Sequence, residues 1–365
     1  GFWNKFFRAK GMFLVTEITI EKAKTFKEIP DVSQIGFGKY FTDHMFEMDY
    51  NPEEGWHNPR VVPYSDLNIN PANTTLHYGQ AIFEGIKAFK QDRDIVLFRP
   101  LEYLNRLNRS ASIMCIPNVE VDVVHRGLRK LIELDKNWVP DQEGTSLYIR
   151  PFIFATDNYL GVNVSSTYKL LIILSPVGAY YAAGFNPVKI MVEEKYVRAV
   201  PGGLGEAKTP ANYAASLRAG VTAHEKGYAQ SLWLDGIERK YIEEVGSMNI
   251  LFKIDGQIVT PSLCGSILGG ITRKSVIEVA KTWGVPVVEK RISIQEVHEA
   301  YKAGKLEEVF GSGTAAVISP VGELYYNGEK MVINNNKTGP FAQRLFDYIT
   351  GLQYGKVEDE LGWIE

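Results

Sequence analysis

The sequence predicts an α/β (α+β) chain of two domains, and three observations carry that reading. Strand-like and helix-like patterns are interspersed in both halves, and a stretch bounded by Gly and Pro separates the halves. The 365 residues are 45% hydrophobic and 23% charged, as globular chains are, so disordered, collagen-like and fibrous readings are set aside.

The elements follow in chain order. Residues 94–98 (DIVLF) form a short apolar, β-branched run that reads as a strand and stops at Arg99-Pro100. Leu101, Leu104, Leu107, Ala111 and Met114 then recur at helical steps, and Pro117 closes that helix. The same periodicity predicts a helix over 121–134, and the apolar runs 146–156 and 168–175 predict buried strands. The stretch PVGAYYAAGFNP places small residues between Gly and Pro, so 12–176 and 188–365 are taken as a smaller and a larger domain joined by 177–187. Residues 249–260 (NILFKIDGQIVT) flank Asp255-Gly256, whose tolerance of positive φ predicts a hairpin. Helices are expected over 273–282, 294–303 and 341–350. The opening GFWNKFFRAKG lacks the apolar core and cleavage site of a signal peptide; residues 1–11 read as a leader or frayed end and Met12 as the natural start.

Forty Lys plus Arg against forty-three Asp plus Glu give a net charge of -3, so no global basic field attracts nucleic acid or an acidic membrane. The expected partner is a small molecule. Cys115 and Cys264, the chain's two cysteines, show no metal-ligand spacing and build no disulfide framework; no metal is expected, and a reducing, cytoplasmic setting fits. The longest uncharged stretch, 170–188, is broken by Pro and Gly and is too short in its apolar part to span a bilayer.

Three Gly-rich stretches are candidate phosphate cradles. GGLGEAKT (202–209) approaches the P-loop pattern, but Ala207 stands where Gly is required and Pro210 with Asn212 spoils the helix that must follow. GSGTAA (311–316) matches a dinucleotide fingerprint, yet a strand-like run follows where a helix is needed. The third, 268–273 (LGGITR), precedes a helical pattern, so it reads equally as a cradle for one phosphate or as an ordinary turn and N-cap.

Lys208 lies in a loop crowded with glycines, with Tyr213 five residues on and only Glu206 charged nearby. Most lysines are solvated, but a desolvated one has the lowered pKa that attack on an aldehyde requires. Glu244 sits at the edge of a strand-like run (YIEEVGSMN) and, taken alone, reads as a surface carboxylate. A phosphate cradle, an imine-forming lysine and a buried carboxylate together meet the needs of pyridoxal 5'-phosphate: an anchor, a tether and a partner for the pyridine nitrogen.

The stretches FGKYFTDHM (37–45), LHYGQAIFEGIKAF (76–89), LFRP with NRLNRSA (97–111), LYIRP (147–151), PVGAYY (176–181), GGLGEAKTPANYAASL (202–217), EEVGSMN (243–249) and FGSGTAAVISPV (310–321) strongly resemble the branched-chain amino-acid aminotransferases. These are fold-type IV pyridoxal-phosphate enzymes, and the resemblance implies two α/β domains with the cofactor at their interface. It makes Lys208 the lysine that tethers the cofactor and moves the substrate's Cα proton. Glu244 faces the pyridine nitrogen, and Tyr213 bonds the phenolic oxygen. Arg106 holds the phosphate, helped by the Ile271 and Thr272 amides, Thr314 and Arg198, whereas Arg99 and Arg109 are structural or solvated.

On the substrate side the resemblance implies a pocket wall of Phe37, Tyr78, Tyr148, Tyr180 and Ser247, with Leu160 and Val162 entering from the second subunit of a homodimer. The turn at Thr314, Ala315 and Ala316 offers amides to the substrate carboxylate, and Arg150 with Tyr78 orients it or receives the distal carboxylate of glutamate. The implied reaction is a reversible exchange of the amino group between Leu, Ile or Val and 2-oxoglutarate, giving branched-chain 2-oxo acids and L-glutamate. Ala316 and Ser319 stand where many eukaryotic relatives carry a redox CxxC pair, so thiol regulation is not expected there. D-amino-acid aminotransferases and aminodeoxychorismate lyases share the lysine and the glutamate, so those two residues leave both readings open.

Overall fold

A computed structural model describes residues 16–180 and 185–365. The expected leader, 1–11, and positions 181–184 of the expected connection lie outside the described residues.

The first layer contains β1 (Thr19–Ile20), β2 (His44–Asn51), β3 (Gly55–Pro63), α1 (Thr74–Tyr78), β4 (Ala81–Phe83), β5 (Ile86–Gln91), β6 (Asp94–Leu97), α2 (Pro100–Ile113), α3 (Val121–Leu134), β7 (Ser146–Ala155) and β8 (Tyr168–Val177). Its eight strands run in the order β1-β3-β2-β8-β7-β5-β6, with β4 on the flank of β7. Pairing is antiparallel along β2, β8, β7 and β5, which leaves one face free to be covered by helices. Leu104, Leu107, Leu128 and Leu131 of α2 and α3 fill that face against Phe46, Ile149, Ile153 and Ile172. Each such fully buried side chain contributes about 1.5 to 3 kcal/mol.

The second layer contains β9 (Val188–Glu193), α4 (Pro210–Ala214), α5 (Leu217–Glu225), β10 (Gln230–Leu234), β11 (Ile242–Val245), β12 (Asn249–Ile254), β13 (Gln257–Pro261), α6 (Ile271–Thr282), β14 (Val287–Lys290), α7 (Ile294–Lys302), β15 (Leu306–Gly313), β16 (Val317–Tyr326), β17 (Glu329–Val332) and α8 (Pro340–Gln353). These nine strands run β11-β10-β9-β16-β15-β12-β13-β14, with β17 added to β16.

The predicted elements recur with small shifts. The 94–98 strand is β6, the two following helices are α2 and α3, and the two buried strands are β7 and β8. The hairpin turns at Asp255 and Gly256, both with positive φ (49° and 78°), as its residue types require. The helix expected from 273 starts at Ile271, because extended Gly270 is its N-cap, and this puts Ile271 and Thr272 in its first turn. The last helix runs to Gln353 rather than 350. Phe89 and Phe98 pack with Leu251, Phe310 and Leu345, so one core joins both layers. The chain's end returns to β6 through paired bonds between Leu97 and Glu365 of 2.8 and 3.0 Å.

Candidate active site

A cavity of about 290 Å³ is lined from both layers. The first layer supplies Phe83 and Gly85 at the β4–β5 junction, Arg106 from α2, and Tyr148 and Arg150 from β7. The second supplies Lys208, Tyr213 from α4, Glu244 from β11, Ser247 to Asn249, the start of α6 and the β15–β16 turn.

Lys208 is held by its backbone before its side chain is considered. Its amide donates to Ser110 Oγ at 2.9 Å and its carbonyl accepts from the Phe83 amide at 3.1 Å. Pro210 then starts α4 at a position where no amide hydrogen is needed, and this turn brings Tyr213 back toward the lysine. Nζ donates to Tyr213 Oη at 2.7 Å and lies 4.8 Å from the Phe83 ring centre. Burial lowers the ammonium to about 8, and Arg106 pushes the same way. The Tyr213 hydroxyl is raised to about 12, by burial first and by Glu244 next.

Glu244 is 2% exposed, so the surface reading of this carboxylate does not hold. Arg198 Nη1 lies 2.9 Å from its Oε2, while Arg198 also donates to the carbonyls of Ser266 (2.7 Å) and Gly205 (3.0 Å). Burial raises the Glu244 carboxyl and the Arg198 guanidinium opposes that rise. Glu243, pointing to the other strand face, is bonded by Ser266 Oγ at 2.7 and 2.8 Å.

At the far end, Arg106 makes a two-pronged bond to Glu84, with both distances 2.8 Å, and donates to the Gly269 carbonyl at 3.3 Å. No side chain caps α6, and its N-cap Gly270 with Ile271 and Thr272 of its first turn line the cavity, where the amides of a helix start suit an anion. A Cβ on Gly270 would sit 2.0 Å from Asn249 Oδ1, which explains a glycine at this N-cap. Thr314 Oγ1 is 2.9 Å from Tyr103 Oη. Amine, carboxylate and anion cradle therefore share one cavity, as pyridoxal phosphate requires.

Phe37, Tyr148, Arg150, Tyr180, Ser247, Ala315 and Ala316 line the same space. Arg150 donates to Tyr148 Oη at 2.9 Å and to the Glu84 carbonyl at 2.8 Å, and Phe37 meets the Tyr148 ring edge-on at 5.0 Å. A Cβ on Gly85 would fall 2.1 Å from Tyr148 Oη, so only glycine lets that ring approach. Arg198 stands one bond behind Glu244 rather than on the wall. Tyr78, Leu160 and Val162 are not on the cavity wall: they are 46, 62 and 82% exposed, and the Tyr78 hydroxyl donates to the Leu160 carbonyl. Arg99 and Arg109 also lie off the wall, Arg99 stacking on Trp363 at 4.5 Å.

Residue reading missed Glu84, Tyr103 and Asn249. For Glu84 a signal was present: a lone carboxylate in the apolar run 81–86 is buried and must have a cationic partner. Among the described residues there is no cluster of metal ligands and no helix long and apolar enough to cross a membrane.

The amino-transferase class IV family pattern matches residues 81–324. "Branched-chain-amino-acid aminotransferase 2" of Bacillus subtilis (strain 168) is 58% identical over 95% of this chain and 96% of its own length. The solved branched-chain amino acid aminotransferase from Escherichia coli is 30% identical, with a TM-score of 0.72 over 88% of this chain and 98% of that one. The solved branched-chain aminotransferase from the thermophilic archaeon Thermoproteus uzoniensis, with norvaline, is 26% identical, with a TM-score of 0.74 over 88% of this chain and 99% of that one.

Proposed function

The chain belongs to the class IV aminotransferases and, within them, to the branched-chain amino-acid aminotransferases, and from that premise we propose that it exchanges amino groups reversibly between Leu, Ile or Val and 2-oxoglutarate with pyridoxal 5'-phosphate bound at Lys208. The observation that carries this reading is one cavity holding the Lys208 amine, the buried Glu244 carboxylate and the uncapped start of α6. When bound, the cofactor supplies the aldehyde that takes up the amine and the ring that accepts negative charge from Cα.

The chain's own groups do the rest. Lys208 Nζ, neutral for a sizeable fraction of the time, takes the proton from the substrate Cα and returns it after the electrons have moved. Glu244, backed by Arg198, holds a positive charge at the ring nitrogen. Tyr213 holds the phenolic oxygen, and Arg106, Thr272, Thr314 and the Ile271 and Thr272 amides hold the phosphate. Phe37, Tyr148 and Tyr180 give an apolar wall for a branched alkyl group, worth about 1.5 to 3 kcal/mol on full burial. Arg150, beside Tyr148, receives the distal carboxylate of glutamate.

Residues 12–176 and 188–365 act as the two domains in this reading, which is supported by a cavity walled from both layers. Leu160, Val162, Tyr159 and Val164 form an exposed apolar segment that suits the expected homodimer, in which Leu160 and Val162 enter the partner's pocket; Tyr78, expected on its own subunit's wall, is instead bonded to Leu160 and goes with that segment. Two exposed free cysteines suit the cytoplasm. The deciding assay compares L-leucine with D-alanine as amino donor to 2-oxoglutarate. Activity on L-leucine is expected, and activity on D-alanine alone would reject the assignment.

A further inference from the structure

The β15–β16 turn is strained and is held from behind. Its ladder ends at the Gly313–Val317 pair, so Thr314, Ala315 and Ala316 form a three-residue loop. Such loops close with a residue in the left-handed region, where glycine is usual. Here that residue is Val317, with φ 64°, a conformation a β-branched side chain resists and keeps only where its surroundings impose it.

One part of those surroundings is Lys87. It lies on β5, opposite Tyr148 of β7, and projects to the same strand face as Phe89, toward the second layer. Its Nζ donates to the Ala315 carbonyl at 2.8 Å. Burial lowers its ammonium to about 8 and no carboxylate counters that shift. Lys87 is half-buried and has no carboxylate partner, so its ammonium is spent on one backbone carbonyl of the turn, a costly placement that calls for a function.

The contact has a chemical consequence, because the Ala315 carbonyl and the Ala316 amide belong to one peptide group. That group is trans, so a carbonyl turned toward Lys87 turns the amide hydrogen the opposite way, away from the neighbouring cavity that Lys87 lines and to the side of the Lys208 cavity, whose wall includes Ala315 and Ala316 but not Lys87. A cation on the oxygen polarises the peptide and makes the N–H a stronger donor. We propose that Lys87 is a positioning residue for transamination: it fixes the Thr314 to Ala316 turn and, through one peptide unit, strengthens the amide that receives the substrate carboxylate. This rests on the reading above that the turn binds that carboxylate.

The experiment uses holoenzyme and two amino donors of the same alkyl shape, L-leucine and isopentylamine, which lacks the carboxylate. For the unaltered enzyme, half-reactions followed by cofactor absorbance should show a strong preference for L-leucine. Lys87→Met should raise the L-leucine KM about tenfold or more, as loss of a charge-assisted hydrogen bond predicts, and leave the isopentylamine rate and the cofactor spectrum unchanged. Lys87→Arg, which keeps the charge, should restore the KM. If the unaltered enzyme does not favour L-leucine, the carboxylate reading falls and this proposal with it. If it does, and Lys87→Met keeps the preference within about twofold or slows both donors alike, the Lys87 proposal alone is overturned.

Discussion

At the scale of single residues the site depends on two buried charges whose costs are met differently. An amine lowered to about 8 is neutral about one time in ten at pH 7, against about once in three thousand for an ordinary lysine. Lys208 has a folded pKa below its unfolded one, so the fold's cost of charging it is complete below pH 8 and is lost as pH rises to 10.5. Lys208→Met should therefore stabilise the cofactor-free protein by on the order of 2 kcal/mol at pH 7 and by much less at pH 10, as read from urea unfolding. An equal gain at both pH values contradicts the buried-amine account. Arg106 is satisfied instead by Glu84, its two-pronged partner. Glu84→Gln leaves that guanidinium without a counter-charge and should cost about 3 kcal/mol in the same assay; an unchanged midpoint would show that Arg106 does not need it. Lys208 and Tyr213 were legible because five residues of one loop and turn join them, whereas Glu244, which alone reads as a surface carboxylate, was legible only in the company of that lysine and a phosphate cradle. The apolar run around Glu84 signalled its burial but not its partner, because Arg106 is 22 positions away and only packing of α2 on the sheet brings the two together.

Among the elements, those with local signals were readable. Helices α2 and α3 follow an apolar repeat, and the β12–β13 hairpin follows Asp255-Gly256. The β2–β3 pair was not readable, because Glu47 and Asp49 interrupt its apolar pattern. Both carboxylates are neutralised across the sheet by Arg60, at 2.6 and 2.8 Å, a pairing that exists only once the register is formed. The β4–β5 junction is the element most sensitive to a small change. Gly85→Ala places a methyl group against the Tyr148 hydroxyl and should cost about 1 to 3 kcal/mol or displace that ring from Arg150. Unfolding midpoints and the L-leucine KM measured together distinguish the two, and a variant normal in both would refute the close approach.

For the whole molecule, two layers sharing a core position one cavity, and the resemblance in the motifs covers both layers. What a single chain does not display is the destination of its exposed apolar segment 159–164, whose Val162 is 82% exposed. In the dimer reading Val162→Asp should separate the subunits, halving the mass by light scattering and weakening L-leucine binding while the cofactor stays on Lys208. A dimer of unchanged mass and affinity would place the interface elsewhere. Layer architecture was legible from alternating periods, whereas strand order was not, since it is set by contacts between distant segments such as Leu97 and Glu365.

The whole reaction rests on the Lys208 amine carrying the coenzyme. Reduction of the yellow holoenzyme with borohydride, followed by peptide mass mapping, tests it most directly. A phosphopyridoxyl mass is expected on the peptide containing Lys208, with Lys208→Ala folded and inactive. A label on another lysine, or full turnover by Lys208→Ala, would contradict it.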